Sequence, residues 1–111
     1  MNSPTGSRTD AGTELVELER VTIVAESVLE QRLLALLSAA GARGWTLIEV
    51  RGKGSRGVRA GEWQGNVKIE SLVSSVCAER IMAELAREYF PRFAIVAYLD
   101  RVRVVRGEKY V

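Results

Sequence analysis

Residues 21–51 read VTIVAESVLEQRLLALLSAAGARGWTLIEVR, and this stretch decides the fold. Its two ends alternate and its middle does not. The segment Leu15 to Ala25 is extended in character, with Val21, Ile23 and Ala25 on one face and Thr22 and Val24 on the other. Leu29, Leu33, Leu36, Leu37 and Ala40 then recur at helical spacing. Ser27 with Glu30 three residues on forms a capping-box pattern at the helix start, and Gly41 supplies the stop. Trp45 to Arg51 returns to alternation, Thr46, Ile48 and Val50 opposing Trp45 and Leu47. The stretch is therefore strand, helix, strand.

Downstream the pattern repeats after a glycine-rich connection. Val67, Ile69 and Val73 alternate with Asn66, Lys68 and Glu70. A second helix begins near Ser75, buries Ala78, Met82, Leu85 and Tyr89, pairs Arg80 with Glu84 on its wet side, and ends at Pro91. Phe93 to Val105 is a long apolar strand, expected to bend near Asp100. The order β-α-β-loop-β-α-β predicts an α+β class, a ferredoxin-like sandwich with both helices on one face of an antiparallel sheet. Ala94, Val96 and Tyr98 alternate with Ile95, Ala97 and Leu99, so both faces of the last strand are apolar. Two helices cover one face, and self-association is the natural cover for the other. Residues 1–13 read as a disordered tail, residues 14–111 as one domain, and residues 52–65 as a flexible loop within it.

Composition narrows the chemistry. The chain has 111 residues, 47% hydrophobic and 27% charged, values ordinary for a soluble globular domain. No apolar run approaches the roughly 20 residues needed to span a bilayer, and Met1 to Thr13 has no apolar leader core. Cys77 stands alone, which excludes an internal disulfide and fits a cytoplasmic location. There is no histidine, so Ser-His and Cys-His catalysis and histidine-ligated zinc are excluded. The carboxylates are not clustered as metal ligands would be, and Cys77 reads as a small buried apolar residue rather than a nucleophile. A non-enzymatic protein is expected.

The charge is uneven. Glu14 to Val50 carries six acids against three bases, and Arg51 to Val111 carries twelve bases against seven acids. Four of those bases, Arg51, Lys53, Arg56 and Arg59, fall within nine residues, interleaved with Gly52, Gly54 and Gly57. Glycines allow successive N–H groups to converge on an anion, and arginines add forked donors suited to phosphate or carboxylate oxygens. A solvated hairpin connection is the plainer alternative. Residues 52–57 match G-x-G-x-x-G after a strand, yet no helix follows, so the dinucleotide-binding reading fails on context. A Walker loop fails too, because Leu47 and Gly54 occupy its required glycine and hydroxyl positions. Arg101 and Arg103 share one face of the last strand, with Arg106 close by; they either reach a ligand held by a neighbouring subunit or merely protect an edge. Lys68 and Glu70 share a strand face and are expected to pair with cross-strand charges, and Trp63 reads as a packing anchor. Sheet-based RNA binding would need more exposed aromatics than Tyr98, so no nucleic-acid partner is expected.

The residues also carry a resemblance. The run from Gly44 to Gly54 (GWTLIEVRGKG) resembles the G-x-T-x-x-E-V-x-G-x-G signature of PII signal-transduction proteins, and Val67-Lys68-Ile69-Glu70 resembles their next strand. Residues 53–59 (KGSRGVR) are similar to the loop of the PII-like branch tied to inorganic carbon: the carboxysome-associated proteins and the bicarbonate-transporter regulators. The resemblance implies a homotrimer with adenine nucleotides held in inter-subunit clefts, ADP or AMP foremost and ATP without an advantage over them. It implies Thr46 at the adenine; Gly52, Lys53, Gly54, Ser55, Arg56 and Lys68 about the phosphates; and Arg101 and Arg103 from the neighbouring chain. Arg59, Ala60 and Gly61 become candidates for bicarbonate. The loop, called the T-loop in that family, would dock on a bicarbonate transporter or a carboxysome-related protein. Several positions depart from the family pattern. The loop has no tyrosine to be nucleotidylated, Asn66 replaces a lysine tied to 2-oxoglutarate, and only Arg87 to Phe93 stands where a triphosphate-gripping loop would lie. The competing expectation is a trimeric ferredoxin-like metal-tolerance or structural protein without nucleotide.

Overall fold

The computed structural model describes residues 14–52 and 65–111. The expectations for the tail and for Lys53, Gly54, Ser55, Arg56, Arg59, Ala60, Gly61 and Trp63 lie outside the described residues. The elements are β1 (Leu15–Glu26), α1 (Glu30–Ala40), β2 (Thr46–Val50), β3 (Asn66–Val73), α2 (Ser75–Glu84) and β4 (Val96–Val105). The four strands form one antiparallel sheet in the order β2-β3-β1-β4, the ferredoxin-like arrangement expected.

Alternation places Val21, Ile23 and Ala25 of β1 opposite Ser71, Ile69 and Val67 of β3, and all are buried. Leu33, Leu36, Leu37 and Ala40 of α1 and Ala78, Ile81 and Leu85 of the second helical segment close over them. Each of the larger side chains withdrawn from water here stabilises the fold by about 1.5–3 kcal/mol. Within this layer the Ser71 hydroxyl donates to the Gly44 carbonyl at 2.6 Å, which satisfies a polar group that the layer encloses.

Helix α1 starts later than the capping-box pattern implies. Ser27 opens a 3₁₀ turn over Ser27–Leu29 and its N–H donates to the Gly65 carbonyl at 2.9 Å; α1 then begins at Glu30 with no side-chain cap. Tying that backbone to the start of β3 wins over the local pattern. Gly41 does end the helix, at φ 111°, where a side chain would be strained. In α2 the cap is Ser74, whose Oγ accepts from the Cys77 N–H at 3.2 Å. A π turn over Leu85–Tyr89 follows, widening the helix before Pro91. Ile81 takes the buried position expected of Met82, which is only partly buried.

The wet-side pairs also differ from expectation. Arg80 does not pair with Glu84; its Nη1 donates to the Ala40 carbonyl at the end of α1, at 3.5 Å, where unpaired carbonyls and the negative end of the dipole attract a cation. Glu84 is instead taken by Arg87, which also reaches Glu88 at 3.0 Å. The last strand begins at Val96 rather than Phe93, because the Phe93 N–H is held by the Tyr89 carbonyl at 2.8 Å. Its ladder with β1 runs unbroken through Asp100, from Val96 to Val105.

Candidate functional site

The open face of the sheet carries the alternate residues of every strand. One row crosses it as Thr46, Glu70, Thr22 and Tyr98, and the next as Ile48, Lys68, Val24 and Val96. Ile48, Val96 and Tyr98 remain exposed there, so the chain's own helices leave this face uncovered, as expected. Charge and hydroxyl groups are mixed into the same surface. Lys68 pairs with Glu70 of its own strand at 3.5 Å rather than across strands. Arg20 grips Asp100 with two hydrogen bonds, Nε to Oδ1 at 3.0 Å and Nη2 to Oδ2 at 2.7 Å. That hydrogen bonding, with the attraction of the guanidinium, holds the Asp100 carboxyl below the ordinary carboxylate range and raises Arg20. Between these groups the Thr22 hydroxyl is buried without a hydrogen-bond partner among the described residues.

Among the described residues, the predicted nucleotide residues do not meet in one chain. Thr46 is exposed at the start of β2, one edge of the sheet, and Gly52 is exposed just past that strand's end. Lys68 lies on the neighbouring strand. Arg101 and Arg103 are on β4, the opposite edge, three strand spacings or about 14 Å away. They also occupy the other face: Arg101 stands opposite Glu19 and Arg103 opposite Glu17, in alternation with the open-face pair Arg20 and Asp100. Arg101 Nε donates to Glu19 Oε2 at 3.2 Å. Sequence reading paired neither Arg20 with Asp100 nor Glu19 with Arg101; the antiparallel register of the two terminal strands would have found both.

Other chemistry is sparse. A groove of about 470 Å³ lies between the two helices, lined by residues that include Arg32, Leu36, Ala39, Arg80 and Tyr89, and holds none of the predicted site residues that are described. The Arg32 guanidinium sits 5.4 Å from the ring centroids of both Tyr89 and Phe93. Cys77 is buried, and that burial pushes its thiol pKa up, which disfavours the nucleophilic thiolate. Among the described residues no group of three or more His, Cys, Asp or Glu is placed to hold a metal ion, and no helix is long and apolar enough to cross a membrane.

A four-stranded sheet in this order, with a glycine-rich connection joining β2 to β3, defines a class, and comparison with known proteins agrees. The family model for nitrogen regulatory protein P-II matches residues 18–109. The chain therefore belongs to the P-II family, a family of signalling regulators. It is 51% identical to a PII-like signaling protein from Thermus thermophilus, over 87% of this chain and 98% of that one, with a TM-score of 0.77. It shares its fold with CPII from Thiomonas intermedia, whose structure with ADP and bicarbonate matches at 23% identity, 87% and 97% coverage and a TM-score of 0.79. A second structure of that protein holds ADP, AMP and acetate; it matches at 23% identity, 86% and 96% coverage and a TM-score of 0.77.

Proposed function

We propose that this chain is a non-enzymatic metabolite sensor, a homotrimer that binds ADP or AMP at clefts between subunits and also takes bicarbonate. The observation that carries the reading is the division of the described candidate residues between opposite sides of the sheet. Thr46 and Gly52 stand at one edge, with Lys68 on the strand beside it, and Arg101 and Arg103 stand at the other, so a phosphate chain can meet both sets where two copies adjoin. Family membership and the ADP and bicarbonate held by CPII support the choice of ligand.

In this mechanism Thr46 borders the adenine and Gly52, Lys53, Gly54, Ser55, Arg56 and Lys68 surround the phosphates. The edge arginines of the next copy complete the cation set. Arg59, Ala60 and Gly61 take bicarbonate. Ligands that order the loop to different extents then select its protein partner, because a ligand shifts an equilibrium only by its differential affinity for the two states. Regulation of inorganic-carbon uptake or fixation, through a bicarbonate transporter or a carboxysome-related protein, is the output, and a cytoplasmic location with carboxysome association follows from it.

Calorimetry with AMP, ADP and ATP tests the reading directly. ADP and AMP are expected to bind at micromolar to millimolar concentration, and no heat from any of the three at millimolar ligand overturns the proposal. In a co-titration, bicarbonate is expected to change ADP affinity and ADP to change bicarbonate affinity by the same factor. Independent titrations would remove bicarbonate from the scheme.

A further inference from the structure

The two ends of the Glu19–Arg101 pair differ sharply: the Glu19 side chain is 13% exposed and that of Arg101 is 66% exposed. Glu19 is the first residue of β1 paired on both sides, to Val73 of β3 and to Arg101 of β4, so its backbone is fixed by two ladders. Arg101 lies on an edge strand. Among the described residues Glu19 is the hydrogen-bond partner the structure gives this guanidinium, and the bond uses Nε. A guanidinium is planar and has five N–H donors, of which Nε carries one. Holding Nε leaves the four donors of Nη1 and Nη2 for a second anion, in a plane that the first bond has already limited.

We propose that Glu19 is a positioning residue that anchors Arg101 by Nε and presents its Nη fork to the phosphate of a nucleotide seated on the neighbouring copy. This rests on the nucleotide reading above and adds a residue to it. Glu19 touches no ligand in this scheme; it acts by limiting the rotamers of Arg101 before binding, which removes an ordering cost that binding would otherwise meet.

The test is a double-mutant cycle read by ADP titration of the full chain. Glu19→Ala is expected to weaken ADP binding by about three- to ten-fold, in the range of coupled neighbouring side chains. Glu19→Gln keeps an acceptor oxygen and is expected to stay within about two-fold of the unmodified protein. In the Arg101→Ala background, Glu19→Ala is expected to change nothing further. A merely structural role for Glu19 would instead weaken binding equally in both backgrounds, and that result, or an unaltered affinity for Glu19→Ala, overturns the proposal. Should Glu19→Ala not fold, Glu19→Met takes its place, keeping side-chain bulk without an acceptor for Nε. Failure of the unmodified chain to bind ADP would sink the nucleotide reading and this inference together; ADP binding with an additive cycle sinks this inference alone.

Discussion

On the helix-covered face, β1 and β3 present Val21, Ile23, Ala25, Val67, Ile69 and Val73, none more than 2% exposed. On the open face the same two strands present Arg20, Thr22, Lys68 and Glu70. One backbone thus carries two kinds of surface, separated by the two-residue period of a strand. Where the two helices close over it, the covered face is alkyl, and its buried Ser71 hydroxyl is satisfied within the chain. The open face mixes exposed apolar groups with ion pairs and leaves the buried hydroxyl of Thr22 without a partner among the described residues. Folding within one chain accounts for the first face. The second has the character of a surface completed from outside.

Three substitutions sharpen that contrast. The largest effect belongs to the covered face: Ile23→Ala is expected to cost about 2–5 kcal/mol in a denaturant titration, since the side chain is fully enclosed and its loss leaves a cavity. A cost below about 1 kcal/mol would mean that this face is not tightly packed. Next is Thr22→Val, which exchanges an unpartnered buried hydroxyl for a methyl group of similar size. It is expected to raise stability by about 1 kcal/mol, the order of the penalty for an unmade hydrogen bond. Destabilisation would instead show that a neighbouring copy or a bound water holds that hydroxyl.

The smallest effect is on Asp100. Its carboxyl is held below the ordinary range by the Arg20 hydrogen bonds, so the pair contributes stability at pH above the unfolded carboxylate value, near 4. That contribution is lost as pH falls through the folded value. Asp100→Asn should therefore melt slightly lower at neutral pH and show a flatter loss of melting temperature on acidification. Parallel curves for the two proteins would count against the pair. Both side chains are only half-buried, which keeps the expected shift small.

The contrast also explains what could be read from the sequence. Alternation in β1 and β3 and helical spacing in α1 identify their elements because each buries one regular face. Some misses fall where a tertiary contact overrides a local pattern. Ser27 gives its N–H to Gly65 instead of capping α1 and Arg80 turns to the Ala40 carbonyl, whereas the Phe93 N–H is captured by a local partner, the Tyr89 carbonyl four residues back, before β4 begins. The π turn over Leu85–Tyr89 leaves no mark in hydrophobic spacing, since Leu85 and Tyr89 stay buried at an ordinary interval of four. The cationic glycine stretch was legible as chemistry. The separation of Thr46 and Gly52 from Arg101 and Arg103 by the width of the sheet was not, because strand order is a property of the fold and not of any one segment. The Glu19–Arg101 pair depends on register between strands about eighty positions apart, as its sequence separation of 82 shows.

Subunit mixing tests the inter-chain site most directly. Arg56→Ala removes a phosphate ligand from one side of the proposed cleft and Arg101→Ala from the other, and each variant alone is expected to bind ADP weakly. When the two are unfolded together and reassembled, some clefts pair an intact loop with an intact β4 edge. Calorimetry should then recover a population of sites with unmodified affinity. A mixture that binds no better than its two components would contradict a site built from two chains.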